Sequence, residues 1–206
     1  SDGDLMEGLS SEAASLAGHW GLSNLVWLYD DNGITIDGST DLAFSENIAL
    51  RFESMGWRVL KIDGHEHEEI RSALKEATNE AHYPTLIICK THIGYGSPNK
   101  VDSAASHGAP LGTDEIKATR AQLGWQCEPF EVPEAVKEHY NNSQERKRTE
   151  AQAWRRNFEQ WSAAFPDARV EFDEMYLSNT PNSLTEALLD VVPVSGATRK
   201  LSQAAI

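Results

Sequence analysis

Short apolar runs alternate with helical patterns in the first half of the chain, and this alternation constrains the fold more than any other feature. The runs Leu25–Tyr29, Trp57–Ile62 and Thr85–Lys90 are typical of strands. Between them, residues 45–56 and 66–81 place apolar side chains at the spacing of an amphipathic helix. Strands joined by helices of this length pair in parallel, and the helices cover the sheet. We therefore predict an α/β fold with a doubly wound parallel sheet.

The ends of these elements carry residues that begin or stop regular structure. Apolar side chains in residues 9–20 repeat at a helical period, and Gly21 follows them as a stop signal. The run Leu25–Tyr29 is apolar throughout, which predicts a strand that is buried on both faces, and the turn residues 30–33 follow it. Ser45 is the expected N-cap of the next helix. These signals set the boundaries that we expect around the sheet.

Beyond the third strand the sequence changes character twice. Glycine and proline interrupt residues 91–112 every few positions, which predicts a long loop, and loops of this length inside a domain are usually functional. Thr113 is the expected cap of a helix that ends near Leu123. Residues 133–164 then form a long, charged helical pattern with a buried aromatic stripe, and Pro166 is expected to end it.

This pattern divides the chain into three regions. We assign residues 1–125 to the α/β region, residues 126–196 to a helical connector that contains Pro181 and Pro193, and residues 197–206 to the first helix of a further domain. Helices ordinarily end in a cap, and the last pattern has none. We therefore expect that further domain to continue beyond this sequence.

The charge balance limits the partners that the chain can bind. The 206 residues hold 32 acidic and 18 basic side chains, a net charge of −14, and residues 1–60 hold ten acids and two bases. Nucleic-acid binding needs a basic surface, so we expect no nucleic-acid partner. No stretch is apolar enough to span a membrane, and the two cysteines lack metal-ligand spacing. We expect a cytoplasmic protein that has no membrane partner.

Two acidic, glycine-containing segments are predicted to meet at one edge of the sheet. Ser1–Asp4 precedes the first helix and Asp30–Gly33 follows the first strand, about one crossover unit later. In open α/β sheets, ligands bind beyond the carboxyl ends of the strands. The oxygens of Asp2 and Asn32 suit Mg²⁺, and Gly3 would admit a diphosphate close to the backbone. Each segment alone also fits an ordinary turn, because Asp-Gly and Asn-Gly are common turn dipeptides.

Motifs around these segments resemble the transketolases, a thiamine diphosphate-dependent enzyme family. Asp2, Gly3 and Asn32, with 28 residues between the last two, are similar to the family's Gly-Asp-Gly and Asn fingerprint. The resemblance covers residues 1–125 as the C-terminal part of the diphosphate-binding domain and residues 197–206 as the first helix of the pyrimidine-binding domain, with an interdomain connector between them. The matching segments, in the family's order, are Asp4–Gly8, Tyr29–Gly38, Ile93–Lys100, Ser106–Gly112 and Ala197–Lys200.

The resemblance implies a cofactor site that is built from these two segments. Asp2 and Asn32 match side-chain ligands of Mg²⁺, for which Ca²⁺ or Mn²⁺ can substitute, and the backbone carbonyl of Ile34 matches a third ligand. Gly3 matches the glycine that lies against the diphosphate. Ile36 matches an apolar residue that packs on the cofactor rings, although the pattern alone fits an ordinary core isoleucine equally well.

The resemblance also implies residues for catalysis and substrate binding. His107 matches an active-site histidine near the cofactor diphosphate and the reacting end of the substrate. Arg199 matches an arginine that grips the sugar phosphate, for which a guanidinium group is well suited. Glu7 matches a member of the carboxylate network that joins the two active sites of the family's dimer. The pattern alone fits a surface or core histidine at 107 and a solvated helix residue at 199.

Two departures from the family pattern bear on activity. Ser1 stands where the fingerprint has its first glycine. The family's upstream cofactor-contacting loops, and the glutamate that activates the aminopyrimidine, have no counterpart in these 206 residues. We therefore interpret the chain as an internal fragment of a transketolase, and we predict little or no turnover by the chain alone.

The implied parent activity is the transfer of a two-carbon ketol unit from a ketose phosphate to an aldose phosphate with thiamine diphosphate and Mg²⁺. The expected partners are sugar phosphates and either a second copy of the chain or a complementary subunit. Three alternatives stay open. They are a dihydroxyacetone synthase, which shares these motifs, a non-catalytic binding or assembly module of the same fold, and an Mg²⁺-dependent domain for another diphosphate.

Overall fold

The protein folds into two compact units, Ser1–Glu128 and Pro129–Ile206. Its structure, a computed structural model, describes residues 1–176, 183–192 and 195–205. All strands of these described residues lie in the first unit, whereas the described residues of the second unit are mostly helical.

The first unit contains a small sheet with helices on both sides. Its helices are α1 (Asp2–Met6), α2 (Gly8–His19), α3 (Ile48–Ser54), α4 (His67–Thr78) and α5 (Thr113–Gln122), and its strands are β1 (Val26–Asp31), β2 (Ile34–Thr35), β3 (Gly38–Ser39), β4 (Arg58–Asp63) and β5 (Thr85–Lys90). Strands β1, β5 and β4 lie side by side in that order and pair in parallel. Strands β2 and β3 form a short antiparallel hairpin. The predicted parallel α/β architecture is confirmed.

The central strand β5 faces two separate hydrophobic cores. Leu86 and Ile88 pack into one core with Phe52 of α3, and α1 and α2 contribute to the same core. Ile87 points to the other side and packs with Ala77 of α4. Successive side chains of a strand point to opposite faces of the sheet, so a continuous apolar run can serve two cores at once. Helices therefore cover both faces of the sheet.

Strand β1 differs from the prediction in its length and its burial. It runs to Asp31, so Asp30 and Asp31 belong to the strand and not to the turn that follows. The prediction that the run Leu25–Tyr29 is buried on both faces is wrong, because Leu28 is 55% exposed. The physical reason is position: β1 lies at the edge of the three-stranded sheet, whereas β5 lies at its centre. Tyr29, on the other face of β1, is buried.

The start of the chain is helical, where the sequence analysis placed a segment ahead of the first helix. Residues Asp2–Met6 form α1, and the hydroxyl of Ser1 donates a hydrogen bond of 2.7 Å to the Asp4 carboxylate at its first turn. A serine followed three residues later by an acid is a common arrangement at helix starts. Ser1, which replaces the glycine of the family fingerprint, therefore has a local structural role.

Two predicted helix caps are also corrected. Asn47, and not Ser45, caps α3, because its side-chain oxygen accepts a hydrogen bond of 3.1 Å from the Leu50 N–H. Gly112 is the cap of α5, and Thr113 is the first residue inside that helix. The predicted and observed caps are two residues apart at α3 and adjacent at α5.

The second unit contains helices α6 (Glu134–Ala164), α7 (Pro166–Tyr176), α8 (Leu184–Val191) and α9 (Thr198–Ala205). Helix α6 stops before Pro166, as predicted, but Pro166 also begins α7, which the sequence analysis assigned to the connector. Proline is favoured at the first position of a helix because its missing N–H would lack a partner there. Pro181 and Pro193, which were predicted to lie in the connector, are outside the described residues, as is residue 206 at the end of the predicted last helix.

The predicted buried stripe of α6 is not present. Helix α6 has no buried residue, and Trp154 is 61% exposed. Aromatic rings still contact one another: Trp154 stacks on Phe158 with centroids 5.1 Å apart, and Phe158 lies 5.3 Å from Phe172 of α7. Within the described ranges, no helix has the length and apolar character that crossing a membrane requires.

Candidate functional site

Asp2 is a buried carboxylate at the carboxyl end of the sheet. Its side chain belongs to the first turn of α1, and the residue is only 2% exposed. The Tyr29 hydroxyl, from β1, donates a hydrogen bond of 2.5 Å to Oδ1 of Asp2. The Gly33 N–H, from the loop after β1, donates a bond of 3.2 Å to Oδ2. Each carboxylate oxygen is thus fixed by a donor from a different part of the chain.

The loop that follows β1 brings the other predicted ligands next to Asp2. The Asn32 side-chain oxygen accepts a hydrogen bond of 3.0 Å from the Ile34 N–H, and its amide nitrogen donates one of 3.2 Å to Asp30. Because a carboxylate only accepts hydrogen bonds, Asp30 determines which end of the amide carries the nitrogen. Gly33 contacts Asp2 directly, and Asn32 and Ile34 are its neighbours in the chain. Both residues therefore flank that contact.

These groups fit a divalent cation. Both donors to Asp2 are neutral, and among the described residues no lysine, arginine or histidine forms an ion pair with it. A carboxylate has about four acceptor positions, so two hydrogen bonds leave capacity for a metal ion. Oxygen from a carboxylate, an amide and a backbone carbonyl suits Mg²⁺, which usually keeps several waters or phosphate oxygens. No group of three or more His, Cys, Asp or Glu side chains in the described ranges is arranged to hold a metal.

Gly3 and Ile36 are both exposed. A Cβ atom added to Gly3 would meet no atom within 4 Å, although glycine inside a helix costs about 0.5–1 kcal/mol relative to alanine. Ile36 lies at the turn between β2 and β3 and is 68% exposed. The alternative interpretation of Ile36 as a core residue is therefore wrong. Open space over Gly3 and an exposed apolar side chain at Ile36 both fit a bound group.

A cavity of about 590 Å³ lies on the Tyr29 side of Asp2. It is bounded by the ends of β1, β4 and β5 and by the start of α3, and Lys61 and Lys90 contribute to its wall. Lys90 also lies 3.7 Å from the Asp31 carboxylate, so one wall of the cavity carries an ion pair. The described residues that form this cavity include Asp2, but they do not include His107.

Tyr29 is a site residue that the sequence analysis missed. Burial raises the pKa of its hydroxyl well above the ordinary value, and the hydrogen bond to Asp2 and the charges of Asp2 and Asp31 raise the pKa further. The phenol therefore stays protonated and remains a donor over the whole physiological range. A tyrosine that ends an apolar run and directly precedes two acids was the available signal in the sequence.

His107 lies in the long loop after β5, directly after a short 3-10 turn of residues 104–106. Its backbone N–H donates a hydrogen bond of 3.0 Å to the Ala104 carbonyl. The Nδ1 atom of its ring is buried and has no hydrogen-bond partner. Buried polar atoms are nearly always paired, so an unpaired ring nitrogen at this position is unusual.

Helix α5 fixes the loop that carries His107. The Glu115 carboxylate accepts hydrogen bonds from the Ser97 hydroxyl, from the Asn99 N–H at 2.9 Å and from the Asn99 side chain at 2.9 Å. These bonds, first from Ser97 and then from Asn99, lower the pKa of Glu115 below its ordinary value. Lys100 donates a bond of 2.8 Å to the Leu111 carbonyl. A single carboxylate therefore fixes the first part of this loop.

Glu7 and Arg199 lie in different units of the chain. Glu7 lies between α1 and α2 and is exposed. Arg199 lies near the start of α9, in the second unit, and is also exposed. The roles that the resemblance implies for these two residues stay predictions.

The fold is that of a thiamine diphosphate-binding α/β domain. The family described as "Transketolase, thiamine diphosphate binding domain" matches residues 1–181. The chain is 45% identical over 206 residues to the chloroplastic transketolase-1 of Arabidopsis thaliana, an alignment that covers 98% of this chain and 28% of that protein. It is 42% identical over 212 residues to transketolase 1 of Escherichia coli, which covers 100% of this chain and 32% of that protein.

A solved structure agrees with these relatives. The transketolase of Pichia stipitis in complex with sedoheptulose 7-phosphate superposes with a TM-score of 0.86 at 36% identity, covering 99% of this chain and 31% of that one. The chain belongs to the transketolase family. It spans less than a third of the length of the curated relatives described above.

Proposed function

We propose that the chain forms the Mg²⁺- and diphosphate-binding part of a transketolase, which moves a two-carbon ketol unit from a ketose phosphate to an aldose phosphate. The observation that carries this proposal is the buried Asp2 carboxylate, held by two neutral donors beside the Asn32–Ile34 loop. A carboxylate that is 2% exposed and has no basic partner among the described residues is costly unless a cation neutralises it.

In this proposal Asp2, Asn32 and the Ile34 carbonyl hold the Mg²⁺, and Ca²⁺ or Mn²⁺ can take its place. Thiamine diphosphate, when bound, supplies the stabilised carbanion that the ketol transfer requires. Gly3 lets the backbone of α1 approach the diphosphate, because no side chain fills the space above it. Ile36 offers its exposed apolar side chain to the cofactor rings.

The remaining predicted residues act on the substrate or across an assembly. In this proposal His107, in the loop after β5, acts near the diphosphate or the reacting end of the sugar. Arg199 binds the sugar phosphate through its guanidinium group. Glu7, which is exposed, joins a carboxylate network between two active sites. His107 and Glu7 are thus the proposed catalytic residues.

The proposed partners follow from this activity. The related Pichia stipitis enzyme has been solved with a sugar phosphate, and we propose sugar phosphates as the substrates here. We propose that a second copy of the chain or a complementary subunit takes part in the site. We propose a cytoplasmic location, although the relative from Arabidopsis thaliana is named as chloroplastic.

Reconstitution tests this function. The chain is assayed with a ketose phosphate, an aldose phosphate, thiamine diphosphate and Mg²⁺, alone and with a polypeptide that supplies the remaining sequence of a full-length relative. We expect little turnover by the chain alone and Mg²⁺-dependent ketol transfer by the mixture. Asp2→Asn should abolish that transfer, whereas the matched Asp41→Asn, at an exposed acid, should not. Transfer that survives removal of divalent cations, or survives Asp2→Asn, would contradict the proposal.

A further inference from the structure

We propose that Tyr29 is a positioning residue that fixes the Asp2 carboxylate in the orientation that cation binding requires. This inference rests on the proposed function, because it assigns a role to a neighbour of the proposed metal ligand. Tyr29 does not itself supply an oxygen to the cation in this proposal. It acts through one hydrogen bond, of 2.5 Å, from its hydroxyl to Oδ1 of Asp2.

The contact is buried on both sides. Tyr29 is 5% exposed and Asp2 is 2% exposed, so this hydrogen bond lies largely out of bulk solvent. The Gly33 N–H holds the other oxygen of the carboxylate. With both oxygens fixed, the plane of the carboxylate is set before any cation arrives. Without the hydroxyl, Asp2 keeps only the Gly33 bond and can rotate about it.

The phenolic hydrogen has two possible acceptors, and the geometry selects Asp2. The distance from the Tyr29 oxygen is 2.5 Å to Asp2 and 3.4 Å to Asp31. Hydrogen bonds between oxygens are ordinarily shorter than about 3.0 Å, so only the Asp2 contact is a strong one. Lys90 lies 3.7 Å from the Asp31 carboxylate. Because this ammonium group already compensates the charge of Asp31, that carboxylate competes less for the phenolic hydrogen of Tyr29. The single donor is therefore directed at the proposed ligand.

The ring of Tyr29 is held independently of its hydroxyl. Tyr29 is part of the core that also contains Leu5, Phe52 and Ile88. A phenylalanine at this position would keep the ring and lose only the hydrogen bond. Tyr29→Phe is therefore a specific probe of positioning. Tyr83→Phe is its matched control, because Tyr83 is 53% exposed and precedes β5 at the opposite end of the sheet.

The dissociation constant of Mn²⁺, measured by electron paramagnetic resonance with thiamine diphosphate present and the complementary polypeptide added, tests the proposal. Groups that orient a metal ligand typically change affinity about 10- to 100-fold when they are removed. We expect Tyr29→Phe to weaken Mn²⁺ binding by that factor and Tyr83→Phe to leave it unchanged. Wild-type affinity in Tyr29→Phe would overturn the positioning role and leave the proposed function standing. Failure of the wild-type protein to bind Mn²⁺ would contradict both.

A double-mutant comparison separates positioning from a purely structural role. If Tyr29 acts only through Asp2, Tyr29→Phe should have no further effect on Mn²⁺ affinity in an Asp2→Asn background. A structural role would lower the unfolding temperature of Tyr29→Phe but would leave the Mn²⁺ affinity of the folded protein unchanged, which would contradict the proposal.

Ultraviolet difference spectroscopy of the wild-type protein and of Tyr83→Phe covers the case in which Tyr29→Phe does not fold. Mg²⁺ added with thiamine diphosphate should perturb the ultraviolet absorption of a buried tyrosine, and Tyr83→Phe should retain that signal. A spectrum that does not change while Mg²⁺ binds would contradict the link between Tyr29 and the cation.

Discussion

The two units of the molecule differ in how their apolar side chains are used. In Ser1–Glu128, Phe52 and Leu86 are each 1% exposed and belong to a continuous core. In the described part of Pro129–Ile206 no residue is buried, although the aromatic rings of α6 and α7 contact one another. The proposed cation site lies entirely in the first unit. Its geometry therefore rests on well-packed elements, whereas the helical unit should tolerate substitution more readily.

The largest expected effect is in the core that supports α3. Phe52→Ala removes a ring that lies 5.3 Å from Trp57 and 6.0 Å from Trp27, and leaves a cavity among them. We expect the free energy of unfolding, measured by urea denaturation, to fall by about 3–5 kcal/mol. A loss below about 1 kcal/mol would show that this core is not tightly packed, and would remove the contrast between the two units.

A smaller loss is expected from the hydrogen bond that ties α2 to the strand region. The indole Nε1–H of Trp57 donates a bond of 2.8 Å to the Ala14 carbonyl, and both residues are buried. Trp57→Phe removes this buried hydrogen bond and part of a buried side chain, and we expect the free energy of unfolding to fall by about 1–3 kcal/mol. The same denaturation experiment with Trp125→Phe, at a residue that is 48% exposed, is the control and should show little change.

The helical unit should respond far less. Trp154 stacks on Phe158 but is 61% exposed, so its removal leaves no buried cavity. We expect Trp154→Ala to lower the free energy of unfolding by at most about 1 kcal/mol. A loss as large as that of Phe52→Ala would argue that this unit has a core of its own.

The smallest expected effect is local and depends on pH. Hydrogen bonds from Ser97 and Asn99 hold the pKa of Glu115 below its ordinary value. A lowered pKa in the folded state contributes stability above the ordinary glutamate pKa, and that contribution is lost as the pH falls through the lowered value. Glu115→Gln should therefore speed hydrogen exchange of the Asn99 backbone amide at neutral pH. It should also reduce the change in protection of that amide as the pH is lowered.

A neighbouring acid provides the control for that experiment. Asp114 lies beside Glu115 in the first turn of α5, and its side chain is fully exposed. Asp114→Asn should leave the exchange of the Asn99 amide unchanged. Equal exchange rates in wild type and Glu115→Gln would show that the carboxylate does not fix the loop.

Much of the fold was predictable because its signals are local. The runs that became β4 and β5 are short and apolar, and glycine or proline bounds them. The exposed face of β1 was not predictable, because the order of strands in a sheet depends on contacts far apart in sequence. Helix α7 was missed because Pro166 signals the end of one helix and the start of another equally well. The wrong cap for α3 has a different cause, because Ser45 and Asn47 are both residue types that favour the N-cap position.

The candidate site was predictable in part. Asp2 and the Asn32–Ile34 loop are about one crossover unit apart in the sequence, which predicts that they meet at the same edge of the sheet. The structure places them in contact through Gly33. Tyr29 was missed because its hydroxyl matters only once α1 folds over the end of β1. Glu115 was missed because an acid in the first turn of a helix is common for electrostatic reasons alone. The cofactor contacts proposed for Gly3 and Ile36 are supported only by the exposure of these residues, which the sequence pattern does not reveal.

The most direct test of the account is the affinity of thiamine diphosphate at saturating Mg²⁺, measured by titration calorimetry on the chain with its complementary polypeptide. We expect one site per chain in the wild type, binding at least about tenfold weaker in Asp2→Asn, and unchanged binding in Asp41→Asn. Removal of Mg²⁺ with a chelator should weaken the wild type to a similar extent. Equal affinity in wild type and Asp2→Asn would contradict the claim that this buried carboxylate binds the cofactor's cation.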